Sequence, residues 1–354
     1  MQIKQRLEYP IWKTPYFCVL GLFVFFKLVR AGTLTFLIDK PFFNKKLNLT
    51  LKFLNLLIYS DNKDEIGKKL LRCFINLGPG YIKFGQALST RPDLVDKKTC
   101  EYLKKLQDDM EPFSSSIAKN IIEKENHDSI DNIFSSFNEK PVANASVAQV
   151  HTAILKSGET VAIKILKPNI KEKLFKDFIF FYWVSKCLEI AIPSIKRLKL
   201  SKNVEVLSEV SLNELDLTLE ASAAEELSEN FKDNPNYKVP KIYWEFTSKN
   251  ILVLEYIQGI RIDDINALKK ANHNIKKITE IGTEVFFLQV FRDGFFHGDM
   301  HPGNILINPK GVLIPIDFGI MGRLSNKDRQ FLALLLTYLL NKNYKKVVEI
   351  HSEA

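Results

Sequence analysis

The chain of 354 residues contains 46% hydrophobic and 26% charged side chains, with 50 basic residues against 41 acidic ones and a net charge of +9. This composition excludes a disordered, a collagen-like or a polytopic membrane protein, and the length predicts about two structural domains. The four cysteines are too widely separated to form a zinc-ligand motif or a redox pair, which favours a reducing compartment. They are Cys18, Cys73, Cys100 and Cys187.

Most of the positive charge lies in the first 60 residues, which contain nine basic and two acidic side chains. The rest of the chain is therefore close to neutral, and its charge gives no support for the broad basic surface on which nucleic-acid binding depends. We expect no nucleic-acid partner.

An apolar run from Phe17 to Phe26 lies inside this basic segment. A helix that spans a bilayer needs roughly 18 or more uncharged residues, so this run is too short to span one. Two interpretations remain open: a helix that lies in the membrane interface with its cations toward anionic headgroups, or a helix that packs on the main domain. A cleaved signal peptide is disfavoured, because Lys27 and Arg30 follow the run directly.

Residues 61–112 carry apolar and charged side chains at helical spacing and predict a helical extension. Gly78, Pro79 and Gly80 interrupt this pattern, so one helix should end there and another should begin.

The spacing then changes to that of strands. Residues 147–154 and 160–166 predict a β-hairpin, because two runs of β-branched residues flank a short turn with a glycine. Side chains alternate between the two faces of a strand, so Lys164 should lie on the face opposite Ile163 and Ile165.

Residues 204–231, rich in Glu, Leu and Ala, predict one long helix, and residues 240–256 carry strand signals. A further helix should run from about Ile275 to Arg292 and end at Gly294.

The segment from His297 to Asn304 reads His-Gly-Asp-Met-His-Pro-Gly-Asn, in which Asp299 and Asn304 have the spacing of the catalytic loop of protein kinases. A second predicted hairpin follows, and Asp317-Phe318-Gly319 stands at its exit, where a kinase places a metal-binding aspartate.

A zinc site at His297 and His301 is the alternative interpretation of this segment, because histidines four residues apart share one face of a helix. Gly298, Pro302 and Gly303 make a helix improbable there. Magnesium held by the oxygens of Asn304 and Asp317 fits hard-cation chemistry better.

Phosphoryl transfer needs a cation on the phosphates, an anion that orients it, oxygen ligands for magnesium, and a group that accepts a proton at the nucleophile. These groups occur in this order along the chain as Lys164, Glu220, Asp299, Asn304 and Asp317. Each of them alone would be read as an ordinary polar side chain, whereas the ordered set indicates a kinase-like site.

The chain resembles the UbiB family of atypical kinase-like proteins of ubiquinone biosynthesis, from about Leu77 to its end. The resemblance rests on Lys83-Phe-Gly-Gln86 with Ser89-Thr-Arg-Pro-Asp93, Pro141-Val-Ala-Asn-Ala-Ser146 with Ala148-Gln-Val-His151, Val161-Ala-Ile-Lys164, Glu214-Leu-Asp216 with Glu220, the segment from His297 to Asn304, and Asp317-Phe-Gly319.

The resemblance implies an α+β, protein-kinase-like bilobal fold with an N-terminal helical extension. Together with the charge and composition of the N-terminal segment, it divides the chain into a basic, aromatic, amphipathic segment (residues 1–60), the extension with the Lys-x-Gly-Gln motif (61–112), a small lobe (113–258) and a partial large lobe (259–354).

By the same resemblance, Lys164 would hold the nucleotide phosphates and pair with Glu220, Asp299 would accept a proton, and Asn304 and Asp317 would bind magnesium. The implied cofactors are ATP and Mg²⁺. The loop over the phosphates would consist of Val142, Ala143, Asn144, Ala145, Ser146, Val147, Ala148, Gln149 and Val150. Its alanines replace the glycines of ordinary kinases, which removes the left-handed backbone conformations that glycine allows.

Lys83 and Gln86 resemble part of a built-in lid, a helix that fills the place of a protein substrate and faces Glu214 and Asp216. Simple packing of the helical extension is the alternative. If the lid interpretation holds, ATP hydrolysis coupled to the handling of lipid intermediates is favoured over transfer to a protein.

The chain ends 37 residues after Asp317, whereas the large lobe of a kinase takes roughly a hundred or more. We therefore expect a C-terminally truncated large lobe. Family members are expected to end in two membrane-spanning helices, and the apolar run at residues 331–340 is too short to be one.

The resemblance leads to the hypothesis of a magnesium-dependent kinase or ATPase that supports ubiquinone biosynthesis, associated with a bacterial inner membrane on its cytoplasmic side. Its expected partners are anionic lipid and quinone-biosynthesis enzymes or lipid-like quinone precursors. A non-catalytic nucleotide-sensing scaffold and a truncated remnant are the alternatives.

Overall fold

A computed structural model of the chain describes residues 7, 14–31, 33, 49, 52, 65–106 and 111–353. Much of the segment predicted for residues 1–60 lies outside these ranges. The chain divides into two compact units: the first comprises residues 1–122, 138–151 and 164–215, and the second comprises residues 123–137, 152–163 and 216–354.

The described α-helices are α1 (Thr14–Arg30), α2 (Ile66–Leu77), α3 (Pro79–Ser89), α4 (Lys97–Lys104), α5 (Ser115–Asn126), α6 (Ile130–Ile133), α7 (Ile170–Ala191), α8 (Leu200–Asn213), α9 (Leu217–Asn230), α10 (Ile265–Lys270), α11 (Ile275–Phe287), α12 (Asn326–Leu340) and α13 (Tyr344–Glu353). The strands are β1 (Phe134–Phe137), β2 (Ala143–Asn144), β3 (Ala148–Leu155), β4 (Thr160–Leu166), β5 (Ile251–Glu255), β6 (Ile260–Arg261), β7 (Phe295–His297), β8 (Ile305–Ile307), β9 (Leu313–Pro315) and β10 (Met321–Arg323).

The apolar run in the N-terminal segment forms helix α1, and the helix has two apolar faces. One face is buried and includes Phe17, whose ring lies 6.5 Å from the ring of Phe180 and 5.8 Å from that of Trp183, both on α7. The other face exposes Leu22 and Phe26 by 69% and 62%. One face of α1 therefore packs against α7, and the other face is exposed. Within the described residues, no helix combines the length and hydropathy that crossing a membrane would require.

The predicted break between helices at residues 78–80 is confirmed. Gly78 has a φ of 124°, and Pro79 begins α3. The N–H of Gly80 donates to Asp177 Oδ2 at 2.9 Å, which satisfies one of the backbone donors that a helix leaves unpaired at its start. A Cβ on Gly80 would lie 2.3 Å from the Cβ of Asp177, so glycine is required at this close approach.

The first predicted hairpin is confirmed as β3 and β4, joined by a turn in which Gly158 has a φ of 99°. They belong to a sheet with the order β1-β3-β4-β5, in which β2 pairs with β3. On β4, Ile163 and Ile165 are fully buried while Lys164 is half-buried, as the alternation predicts.

The prediction of one helix over residues 204–231 is wrong at its centre. Helix α8 ends at Asn213, and α9 begins at Leu217 after Glu214 has become the C-cap of α8 and Asp216 the N-cap of α9. The Asp216 carboxylate accepts from the N–H and the hydroxyl of Thr218, at 3.2 and 2.5 Å. An aspartate that bonds to backbone in this way favours starting a helix over continuing one.

The core of the second unit lies between helices α9 and α11 and the short strands β7 to β9. Its buried residues include Leu227, Val285, Phe295 and Phe318. The predicted helix to Arg292 is confirmed with one change, because α11 ends at Phe287 and continues as a π-helix, Leu288–Asp293, up to Gly294. The second predicted hairpin is confirmed as β8 and β9.

Candidate nucleotide and catalytic site

The loop expected to cover nucleotide phosphates, residues 142–150, is a tight hairpin in the first unit. The N–H of Val142 donates to the carbonyl of Val150, and the N–H of Ala145 donates to the carbonyl of Ala148, both at 2.8 Å. Described residues with positive φ all lie outside this loop. Its conformation therefore needs no glycine, and alanine suits it.

Asn144 in this loop has a buried side-chain oxygen, Oδ1, without a hydrogen-bond partner. A buried acceptor left unpaired costs about 1–3 kcal/mol, so this position fits a ligand that brings a hydrogen-bond donor. Phosphate oxygens alone would be acceptors, whereas the water shell that Mg²⁺ retains supplies donors. The loop is therefore compatible with a magnesium-bound nucleotide.

Lys164 lies on β4, in the part of that strand that belongs to the first unit. The loop of residues 142–150 belongs to the same unit. The N–H of Lys167, at the end of this strand, donates to the carbonyl of Val147 at 2.8 Å. The loop and the strand that carries Lys164 are thus joined by a backbone hydrogen bond. The predicted pairing of Lys164 with Glu220 stays a prediction.

Glu220 lies in the first turn of α9, in the second unit, and is 6% exposed. Its Oε1 accepts from the backbone N–H of Phe318 at 3.3 Å. The helix of Glu220 is therefore held to the Asp317-Phe318-Gly319 motif, and this contact accounts for one oxygen of a buried carboxylate.

His297 joins the two motifs of the second unit that sequence spacing singled out. Its Nε2 lies 2.6 Å from the carbonyl oxygen of Asp317, and its Nδ1 lies 3.1 Å from the backbone nitrogen of Asp299. A carbonyl can only accept and an N–H can only donate, so Nε2 carries the proton and Nδ1 accepts. The imidazole is neutral in this arrangement and sets the segment of Asp299 beside that of Asp317.

Both ring nitrogens of His297 are thus occupied within the protein, which leaves none for a metal. His301 Nδ1 accepts from the N–H of Gly303 at 3.2 Å, in a loop followed by a single 3-10 turn at residues 302–304. The expected lack of an α-helix there is confirmed. In the described part of the chain, no group of three or more His, Cys, Asp or Glu side chains could hold a metal ion.

Asn304 and Asp317 are both partly exposed. Asn304 precedes β8 and Asp317 follows β9, so both lie at the open end of this antiparallel hairpin. The N–H of Ile316, the residue before Asp317, donates to the carbonyl of Asn304 at 2.9 Å. This bond brings the backbone of Asn304 beside that of Ile316. Asp317 Oδ1 accepts from the N–H of Gly319 at 3.0 Å. Two oxygen-bearing side chains suit Mg²⁺, which is bound in proteins by one or two carboxylates together with substrate phosphates and water.

Gln289, on the π-helix, is a supporting residue that the sequence did not indicate. It is fully buried, its Oε1 accepts from the backbone N–H of His297 at 2.9 Å, and its Nε2 donates to the hydroxyl of Tyr237 at 3.3 Å. π-Helical turns occur often at functional sites. A single glutamine eight residues before His297 belongs to no motif, so spacing along the sequence could not single it out.

The Lys-x-Gly-Gln motif lies on α3 in the first unit. The Lys83 ammonium forms an ion pair with Glu214, and the two side chains are only 10% and 16% exposed. Gln86 Nε2 donates to the carbonyl of Leu106 at 3.0 Å. The expected contact of α3 with Glu214 is therefore present, whereas a contact with Asp216 stays a prediction.

Comparison with known proteins places these motifs in a family. The ABC1 atypical kinase-like domain matches residues 105–351. The chain belongs to this family. A "Probable protein kinase UbiB" of Cellvibrio japonicus is 39% identical over 315 residues, which cover 88% of this chain and 57% of the relative. One of Marinobacter nauticus is 41% identical over 301 residues, which cover 84% and 55%.

The chain spans somewhat more than half the length of these curated relatives. Among solved structures, the complex of Rv3197 with erythromycin from Mycobacterium tuberculosis is similar, with a TM-score of 0.53 and 26% identity, over 88% of this chain and 76% of the other. The expected α+β kinase-like fold with N-terminal helices is thereby confirmed.

Proposed function

We propose that this ABC1-family chain binds Mg-ATP and acts as an atypical kinase or ATPase that supports ubiquinone biosynthesis at a membrane. The single observation that carries the proposal is the pair of hydrogen bonds from His297 to the backbone of Asp299 and of Asp317, which joins the two motif segments within the second unit.

In this proposal, Lys164 and the loop of residues 142–150 bind the phosphates, and Asn304 and Asp317 hold magnesium. Mg-ATP supplies the phosphoryl group when it is bound. Asp299 accepts the proton of the attacking hydroxyl or water. Glu220 orients the Lys164 ammonium, so that the charge on the transferred group meets a fixed cation.

Thermal unfolding with and without Mg-ATP tests the nucleotide site. The unmodified chain should gain a few degrees in Tm at saturating ligand, since a ligand that binds only the folded state stabilises it. Lys164→Ala should lose this gain. The matched control is Lys156→Ala, which removes an exposed lysine from the turn of the same hairpin and should keep it. An equal gain in Lys164→Ala and the unmodified chain would refute the nucleotide assignment.

A non-catalytic, nucleotide-sensing scaffold is the second candidate, and the buried Lys83–Glu214 pair fits it as well as it fits ATP hydrolysis, since neither function needs a protein substrate. A lysine held in this way fixes α3 in place, and in the lid interpretation that helix excludes a protein substrate. Asp299→Asn separates the candidates. If this variant binds Mg-ATP normally but fails to restore quinone synthesis in a deletion strain, chemistry is required; if it restores synthesis, scaffolding is sufficient.

The proposed membrane association rests on the exposed face of α1. Leu22 and Phe26 are largely exposed, Lys27 and Arg30 lie in the last turn, and the Lys27 ammonium lies 4.7 Å from the ring centre of Phe23. Exposed aromatic and aliphatic side chains next to cations are typical of helices in the interface of an anionic bilayer. Anionic lipid is therefore the proposed surface partner, and quinone-biosynthesis enzymes or lipid-like quinone precursors remain proposed partners.

A further inference from the structure

We propose that Gln149 and His151 are positioning residues for the phosphate loop, defined as residues 142–150, and that they hold it through one continuous chain of hydrogen bonds. The inference rests on the proposed nucleotide site, which assigns this loop to the phosphates of ATP. Both side chains are fully buried. Their side chains therefore act on a nucleotide through the more exposed residues of the loop.

The chain of hydrogen bonds joins three separate segments of the first unit. His151 Nδ1 lies 2.9 Å from the carbonyl oxygen of Asn138, just before the loop. His151 Nε2 lies 2.8 Å from Gln149 Nε2, and Gln149 Oε1 accepts from the N–H of Phe113 at 3.0 Å. Phe113 belongs to the connection that follows the helical extension.

Only one arrangement of hydrogens satisfies all three contacts. The carbonyl of Asn138 can only accept, so His151 Nδ1 carries a proton. The N–H of Phe113 can only donate, so Gln149 presents its oxygen there and its amide nitrogen to His151. That nitrogen donates, so His151 Nε2 must be unprotonated. The imidazole is neutral, in agreement with burial that lowers the pKa of His151.

These contacts lie at the base of the phosphate loop. Gln149 is paired with Asn144 across strands β2 and β3, and Asn144 carries the unpaired buried oxygen. The other side of Gln149 is fixed to Phe113. A change at Gln149 or His151 should therefore displace the residues that face the phosphates, although the substituted side chain lies in the interior.

The loss of either residue leaves buried polar groups without partners. Gln149→Met keeps the size of the side chain but leaves the N–H of Phe113 and Nε2 of His151 unsatisfied. His151→Asn keeps a donor at the position of Nδ1 and removes only the acceptor for Gln149. The second variant is the milder one, because one contact of the chain is kept.

The experiment compares the affinities for Mg-ATP and for adenosine, measured by titration on the unmodified full chain and on the variants. Adenosine lacks phosphates, so displacement of the phosphate loop should weaken ATP binding about tenfold in Gln149→Met and change adenosine binding less than about twofold. His151→Asn should show the same selective loss, but smaller. Leu155→Ala is the matched control: Leu155 lies on the same strand, is 2% exposed, and is about 20 Å along the strand from Gln149 and about 13 Å from His151.

A selective loss of ATP affinity in both variants, with no such selectivity in the control, supports the proposal. A parallel loss of ATP and adenosine binding, or no change, overturns it and leaves the nucleotide site in place. An unmodified chain that binds neither ligand refutes the nucleotide assignment and the positioning together. If Gln149→Met does not fold, His151→Asn decides by the same comparison. Imidazole ¹⁵N shifts of the unmodified chain give a second test, since a proton on Nε2 of His151 would refute the chain of hydrogen bonds.

Discussion

The Lys83–Glu214 ion pair offers a direct measure of how firmly α3 is held. Lys83→Met keeps the aliphatic stem and removes the ammonium. The Glu214 carboxylate, of which only 16% is exposed, then remains in a mostly dry site without its cation. The helix that carries the Lys-x-Gly-Gln motif should be less stable as a result.

The magnitude follows from burial. Removing one partner of a fully buried ion pair costs about 3–5 kcal/mol. Both side chains keep some contact with solvent, 10% for Lys83 and 16% for Glu214, so we expect about 2–3 kcal/mol for Lys83→Met. The double variant Lys83→Met/Glu214→Leu removes the uncompensated charge as well and should recover most of this loss.

Urea unfolding at pH 7, followed by circular dichroism, measures the free energies of the unmodified chain, Lys83→Met, Glu214→Leu and the double variant, and these four values give the coupling between the two positions. Lys98→Met is the matched control, because Lys98 pairs with Glu65 in the same helical extension but the two side chains are 66% and 45% exposed. No measurable change is expected there. The reasoning would be refuted if Lys83→Met matched this control, or if the double variant were as unstable as the single one.

Three further predictions concern the first unit. Burial raises the pKa of Asp177 to about 6, so its contribution to stability is present below pH ~4 and is lost as the pH rises through about 6. Asp177→Asn keeps an amide oxygen that can accept from Gly80. In urea unfolding it should be about 2 kcal/mol more stable than the unmodified chain at pH 7, with little difference near pH 4. A difference in stability that does not depend on pH would contradict this. Gly80→Ala should lower the Tm by several degrees, since its Cβ meets Asp177, and an unchanged Tm would mean that the helices can separate without loss. Leu22→Glu/Phe26→Glu should lower the affinity for anionic vesicles, measured by co-sedimentation, about tenfold or more. Val206→Glu, also at an exposed apolar position, should leave it unchanged. Equal binding by the unmodified chain and both variants would exclude α1 as the lipid contact.

Local spacing in the sequence predicted much of the fold. The hairpins at β3–β4 and β8–β9 and the helix boundaries at Gly78 and Gly294 follow from turn residues and short-range periodicity, which act over a few neighbours along the chain. Where a side chain bonds to the backbone, this approach failed. The break between α8 and α9 depends on the capping contacts of Asp216, and the surrounding residues are good helix formers.

Helix α7 was not predicted for a different reason. Its apolar side chains are spread around the helix, and its buried residues, such as Phe178 and Phe180, face several neighbours at once. Periodicity detects a helix with one apolar stripe, and a helix buried on several sides gives no such stripe. Asp177, which contacts the start of α3, lies within this helix and was missed with it.

The candidate site was predictable as a set of residue types and not as a set of contacts. Spacing singled out Asp299, Asn304 and Asp317, but the hydrogen bonds of His297 and Gln289 include contacts to residues 8, 20 and 52 positions away. Such bonds depend on the folded path of the backbone. Sequence analysis placed His297 in the catalytic-loop motif and gave it no contacts of its own, whereas in the structure both of its ring nitrogens bond to the backbone.

The glycine-free hairpin at residues 142–150 affects how much conformational entropy a ligand would have to remove on binding. A glycine-rich loop samples many backbone conformations before a ligand arrives, and ordering it consumes part of the binding free energy. Alanine narrows that ensemble already in the unfolded chain, and here two backbone hydrogen bonds close the hairpin. Under the proposed nucleotide assignment, a ligand at this hairpin would meet a preorganised surface, and little conformational entropy would remain to be lost on binding.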